Sequence, residues 1–413
     1  MSAVIDRFLR YIALDTQSDP ESSTFPSAYD KEMAFADMLV EELHCMGITD
    51  AVKDEFGYVF GTIPSTVSHG DVPVLGLIAH MDTAQEAPGA CTSPRFIENY
   101  DGSDILLNEA LGVIMRPDEF ESLRDMVGKT LLVTDGISLM GGDDKAGIAE
   151  IMTLADVLLN HPEIPHGTIR IGFTPDEEIG SGVDHFDVER FGADYAYTLD
   201  GQALGELEYE NFNAAGARIE ITGLPVHPGS SKNKMKSAVL MGMELESMLP
   251  VCEKPMYTEG YEGFTHLLGI RGTVSSATMD YIIRDHDREL FEKKKAYLAS
   301  ACEFLNAKYG QGTFRCEIKD SYYNMKDQVA PFMFLIDNVK EVYEQLGIPT
   351  RIQAIRGGTD GARLSFMGLP CPNLGTGGYN CHGPYEYVCV ESMENAVDML
   401  VALVQKFALP RSH

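Results

Sequence analysis

Apolar residues along the chain follow one rhythm up to about residue 212, change to another, and return to the first after about residue 326. In the first part, unbroken runs rich in Val, Ile and Leu, namely VPVLGLIAH (72–80), GTIRIGFT (167–174) and DYAYTLD (194–200), alternate with helical patterns such as KAGIAEIMTLADVLLN (145–160). Unbroken rather than alternating runs predict strands covered on both faces, hence a mostly parallel sheet in an α/β domain. Ligands of such sheets collect beyond the carboxyl ends of the strands. At the N-terminus, Val4, Phe8 and Ile12 stand at helical spacing with Asp6, Arg7 and Arg10 between them. That pattern predicts an amphipathic helix, not the apolar core of a signal peptide.

Between 213 and 325 the order becomes βαββαβ. AAGARIEITG reads as a strand, SKNKMKSAVLMGMELESMLP as a helix, FTHLLGIRG and SSATMDYIIRDHD as strands, DRELFEKKKAYLASACEFLNAKYG as a helix and TFRCEIKDSYY as a final strand. This is a split-βαβ, ferredoxin-like α+β unit with an antiparallel sheet. Because the helix-rich α/β pattern resumes after it, residues 1–212 and 326–413 are predicted to form one discontinuous domain, with 213–325 inserted.

A formal net charge of -31 argues against nucleic acid or an anionic membrane as partner, since both need clustered Lys and Arg. No apolar run approaches a membrane span in length. Eight scattered cysteines without a CxxC pair predict reduced thiols and a cytoplasmic location.

Four polar clusters directly follow the apolar runs: His80 and Asp82 in AHMDT, Asp143 in GGDDKAG, Glu177 and Glu178 in TPDEEIG, and Asp200 in TLDG; His382 in NCHGPYE lies in the returning segment. Each alone reads as hydrogen-bonded structure or solvated surface. Together at neighbouring strand ends, such carboxylates and imidazoles form a costly cluster unless cations neutralise it. Two His with three Asp or Glu suit zinc or a neighbouring divalent transition metal, and five residues exceed the needs of one open catalytic zinc. A two-metal site with a bridging carboxylate distributes them, and Asp143 is the candidate bridge.

The segments HMDT, GGDDKAGIAEI, FTPDEEIGSG, YTLDG, VHPG, YIIRDHD and IRGGTDGARLSFMGLPCPNLGTGGYNCHG closely resemble the di-zinc metallopeptidase family of aminoacylases and carboxypeptidases, in its tripeptide aminopeptidase branch, nearly end to end. The resemblance implies two divalent ions per subunit, zinc first, with cobalt or manganese as substitutes. It places His80 and Asp200 at one ion, Glu178 and His382 at the other, and Asp143 between them; Asp144 is the competing choice for that place, its plainer reading being a helix N-terminal carboxylate stabilised by the macrodipole. It makes Asp82 the partner that orients His80 and Glu177 the general base, while Asp176 reads as structural. His227, in the VHPG turn of the inserted lid, becomes the oxyanion donor, commonly reaching the other subunit of a homodimer formed through the lid. Arg284 and Arg356 become anchors for the carboxylate of a short-peptide substrate, with ion pairing to local Asp as the plainer role.

GGTDG and GTGGYN lack the spacing of nucleotide motifs and read as tight turns. GPYEYV after His382 and GGDD before the bridge depart from the family pattern without removing a ligand. The same metal centre would equally serve a related amidohydrolase, such as an aminoacylase, dipeptidase or carboxypeptidase, so the restriction to tripeptides rests on the resemblance.

Overall fold

The structure, a computed structural model, describes residues 2–68 and 72–409. The chain divides into two compact units, Met1–Tyr209 with Asp327–Ile352 and Thr359–His413, and Glu210–Lys326 with Gln353–Gly358.

The large sheet takes its first six strands from β1 (Val52–Lys53), β2 (Val59–Ile63), β3 (Leu75–His80), β4 (Ile169–Thr174), β5 (Tyr195–Gly201) and β6 (Glu206–Asn211). They stand in the order β1-β2-β4-β3-β5, followed by Asn373–Gly375, β6 and Arg351–Ile355, in an eight-stranded sheet. The apolar runs become its centre: β3 lies parallel to both β4 and β5, and Asn373–Gly375 runs parallel to β5. All six residues of β3 are buried, which is why its sequence shows no polar alternation. Antiparallel strands join at both sides, β2 on β4 and β6 on Asn373–Gly375. The helix Gly142–Asn160 is buried almost throughout because it packs on β3 and β5 and is itself covered by helices Ala3–Ile12 and Val390–Ala408. A second apolar cluster, with Tyr58, Phe60, Ile78, Phe186, Phe191 and Leu364, lies elsewhere on this unit.

The second unit is a four-stranded antiparallel sheet ordered Phe264–Gly272, Ser276–Asp285, Asn213–Thr222, Phe314–Tyr322. Along Ser276–Asp285 burial alternates, with Ala277, Met279, Tyr281 and Ile283 buried against Leu245, Phe291 and Leu298 of the helices Ala238–Met248 and Arg288–Tyr309. Each such large side chain contributes about 1.5–3 kcal/mol on burial. Three asparagines tie the unit's first and last residues together. Met325 N donates to Asn211 Oδ1 (2.7 Å), Asn324 N to Asn213 Oδ1 (3.1 Å), and Asn211 N to Asn324 Oδ1 (3.2 Å).

Candidate metal centre

His80 is the last residue of β3, and Asp200 is the penultimate residue of β5. Glu177 and Glu178 open a short turn three residues beyond β4. The parallel strands thus deliver four of the expected side chains to one end of the sheet, where backbone direction alone would place them. Asp143 and Asp144 sit at the mouth of Gly142–Asn160 with non-helical backbone angles, and the peptide between them is cis. His382 occupies the loop between Gly378–Tyr379 and Tyr387–Cys389 in a left-handed conformation, φ 65°.

These residues converge. His80 Nε2 lies 2.8 Å from Asp143 Oδ1 and 3.4 Å from Asp200 Oδ1. His382 Nε2 lies 3.3 Å from Asp143 Oδ2 and 3.1 Å from Glu178 Oε2. The Asp143 carboxylate therefore faces one imidazole with each oxygen. Among the described residues, two groups have ligand atoms within 4.8 Å of one another, His80 with Asp143 and Glu178, and His80 with Asp144 and Asp200. Asp144 is the more committed of the adjacent pair: Oδ2 accepts from His80 N (3.1 Å) and Oδ1 from Gly147 N (3.2 Å).

Asp82 does more than orient His80. Its backbone carbonyl lies 3.0 Å from His80 Nδ1 and its Oδ1 3.3 Å. Its carboxylate also accepts the backbone N–H of Glu177 (2.9 Å) and of Glu178 (3.1 Å), so one buried side chain fixes both the imidazole and the acidic turn. Asp176, a left-handed residue at φ 53°, bonds Ser27, and its own N–H reaches Glu32 Oε2 at 3.2 Å. Glu386 escaped the sequence reading. It is buried and accepts from Met140 N, Gly141 N and Asp143 N at 2.8, 2.9 and 3.1 Å. Its one signal is an acidic residue four positions beyond His382, inside a segment that departs from the family pattern.

The electrostatics match the crowding. Burial, then the neighbouring Asp143 charge, push the Glu178 carboxyl up to about 11. Burial and Asp200 raise Glu177 well above the usual carboxylate range. Burial lifts Asp200 to about 6 against the opposing pull of His80. Asp143 is the exception, since hydrogen bonds from His382 and His80 overcome burial and hold it low. Glu178 Oε1 is buried and has no hydrogen-bond partner among the described residues. A bound cation accounts both for carboxylates that repel one another and for an orphaned buried oxygen, and the mixed nitrogen and oxygen donors fit a divalent transition metal.

The other three expected residues belong to the second unit. His227 is exposed at the start of a short turn, its Nδ1 accepting from Gly229 N at 3.2 Å. Arg284 spends Nη1 on the carbonyls of Ala215 and Ile283 and lies over the Tyr322 ring. Arg356 is more fully engaged. It donates to Gly260 O (2.6 Å), Glu262 O (2.9 Å) and Thr258 Oγ1 (2.9 Å), with Phe212 beneath it. Among the described residues, neither arginine forms the ion pair with a local Asp that was the plainer alternative.

A family model described as peptidase family M20/M25/M40 matches residues 135–406. The chain is 50% identical to the Peptidase T of Alkaliphilus oremlandii, over 99% of this chain and 100% of that one. It is also 50% identical to the Peptidase T of Bacillus subtilis, over 98% of each. Among solved structures, the fold is shared with the aminopeptidase PepT of Bacillus cereus at TM-score 0.76 and 22% identity, covering 98% of both chains. A tripeptidase of Staphylococcus aureus matches at TM-score 0.77 and 21% identity with the same coverage. With the strand-end cluster of histidines and carboxylates in place and full-length relatives at half identity, the chain belongs to peptidase family M20/M25/M40, in its peptidase T group.

Proposed function

We propose that the protein is a two-metal aminopeptidase that removes the N-terminal residue from tripeptides. The observation that carries this reading is the Asp143 carboxylate, one oxygen 2.8 Å from His80 Nε2 and the other 3.3 Å from His382 Nε2. His80 and Asp200 would hold one divalent cation, Glu178 and His382 the other, and Asp143 both; zinc suits the donors best, with cobalt or manganese as substitutes. When bound, the cations supply positive charge that polarises the scissile carbonyl and favours ionisation of the attacking water.

Glu177 takes the proton of that water as its oxygen joins the carbonyl carbon, then gives it to the leaving amine nitrogen as the C–N bond breaks. Its backbone is fixed for this by Asp82. His227 is the proposed oxyanion donor. Arg284 is the better anchor for the substrate carboxylate, because Arg356 is occupied by the carbonyls of Gly260 and Glu262. A homodimer through the second unit is supported by exposed apolar side chains on helix Ala238–Met248 (Leu240, Met243) and on the edge strand Phe264–Gly272 (Leu268). Eight unpaired cysteines support a cytoplasmic location, and no helix among the described residues is long and apolar enough to cross a membrane.

The test joins metal analysis to a turnover panel of free tripeptides, dipeptides, N-acetylated tripeptides and N-acyl amino acids. Two metals per chain and preference for free tripeptides are expected, with activity lost to a chelator and restored by zinc or cobalt. Preference for the N-blocked substrates would instead assign a related amidohydrolase.

A further inference from the structure

We propose that Glu386, which supplies no ligand atom to either candidate group, is a positioning residue that locks Asp143 and His382 into a common register. The inference rests on the two-metal reading of the site. Its carboxylate is fully committed to backbone. Oε2 accepts from Met140 N and Gly141 N, and Oε1 from Asp143 N, so three backbone donors of one turn close on a single anion. The turn is built for that approach. Gly141 is left-handed at φ 75°, and a Cβ on Gly142 would come within 3.0 Å of Glu386 Oε1.

The same residue closes the other ligand loop. Glu386 N donates to Gly383 O at 3.1 Å, one residue beyond His382, and the next residue, Tyr387, pairs with Val133 in a strand ladder. The main chain of Glu386 thus belongs to the His382 loop while its side chain holds the Asp143 turn. Two ligands 239 positions apart in sequence, Asp143 and His382, share one anchor. Asp82 does the corresponding task for the Glu177–Glu178 turn through the same chemistry, a buried carboxylate gripping backbone N–H groups. Partners of this kind around metal ligands set affinity without touching the metal.

Glutamine at this position keeps the shape but turns an amide N–H toward backbone N–H donors, whereas aspartate keeps the charge and both acceptors with a shorter reach. The experiment compares wild type, Glu386→Gln and Glu386→Asp by metal content in buffered zinc, by the visible spectrum of the cobalt-loaded protein, and by Tm with and without metal. Glu386→Gln is expected to bind metal roughly 10–100-fold more weakly and to shift the cobalt bands. Its kcat on a tripeptide should fall more than its KM rises, its Tm should fall further in the presence of metal than in its absence, and Glu386→Asp should recover part of the affinity. If Glu386→Gln does not fold, the same comparison on Glu386→Asp decides. Wild-type affinity and cobalt bands in the variant, or an equal Tm loss with and without metal, would overturn the positioning role while leaving the metal reading intact. A wild-type protein that takes up no metal would overturn both.

Discussion

Replacing Gly147 by alanine adds one methyl group where the structure has no room for it. Gly147 lies one turn into the helix Gly142–Asn160, and a Cβ built there falls 2.1 Å from the carbonyl oxygen of Leu199 and 2.6 Å from Asp144 Oδ1. Carbon and oxygen settle no closer than about 3.3 Å, so helix and strand β5 must separate by roughly 1 Å. Neither partner can yield cheaply. Leu199 O is main chain and adjoins Asp200, and Asp144 is bonded to the amides of both His80 and Gly147. Overpacking of this kind costs about 1–3 kcal/mol, or several °C in Tm at roughly 2–4 °C per kcal/mol for a large domain. The functional loss should be larger, since a displacement of about 1 Å near reacting groups can cost about 100-fold. Thermal unfolding and kcat/KM on a tripeptide, measured beside Gly216→Ala, check both numbers; Gly216 has no atom within 4 Å of its added methyl. If Gly147→Ala matched that control in both measurements, the close packing of helix on strand could not be what places Asp200.

Glu177→Gln should lower kcat by about 100- to 10,000-fold while metal content, read by elemental analysis, stays at the wild-type value; full activity would remove Glu177 as the base. Asp82→Asn leaves one acceptor oxygen for two amide donors, a loss of about 1–3 kcal/mol, and should weaken metal binding in a chelator competition. Arg356→Lys should lower Tm through loss of its fork of bonds to Gly260, Glu262 and Thr258, with KM for tripeptides unchanged; a raised KM at constant Tm would restore Arg356 as a substrate anchor.

The cluster of His80, Asp143, Glu178, Asp200 and His382 was legible because most of its members directly follow apolar strands, and a strand end in a parallel sheet is a fixed place in space. The βαββαβ order of the insert was legible for a similar reason, a change of apolar period that no neighbour is needed to interpret. The supports were hidden. Glu386 meets its three amide donors across more than 240 positions, and Glu32 reaches Asp176 across 144. A carboxylate bonded to distant backbone looks the same in sequence as one in water. Arg356 shows the converse, a guanidinium that reads as free for substrate until the carbonyls of a loop almost a hundred residues earlier are seen to take it.

The asparagine clasp of Asn211, Asn213 and Asn324 has a thermodynamic meaning for the whole chain. An insertion whose ends wander adds a closure entropy that grows with its length. Here the two ends are held side by side by short hydrogen bonds, so the chain entering at Asn211 and the chain leaving at Met325 are separated as in a tight hairpin, whatever lies between. The size of the insert could change over evolution, or be trimmed by an engineer, with little entropic consequence for the host fold as long as those three side chains remain.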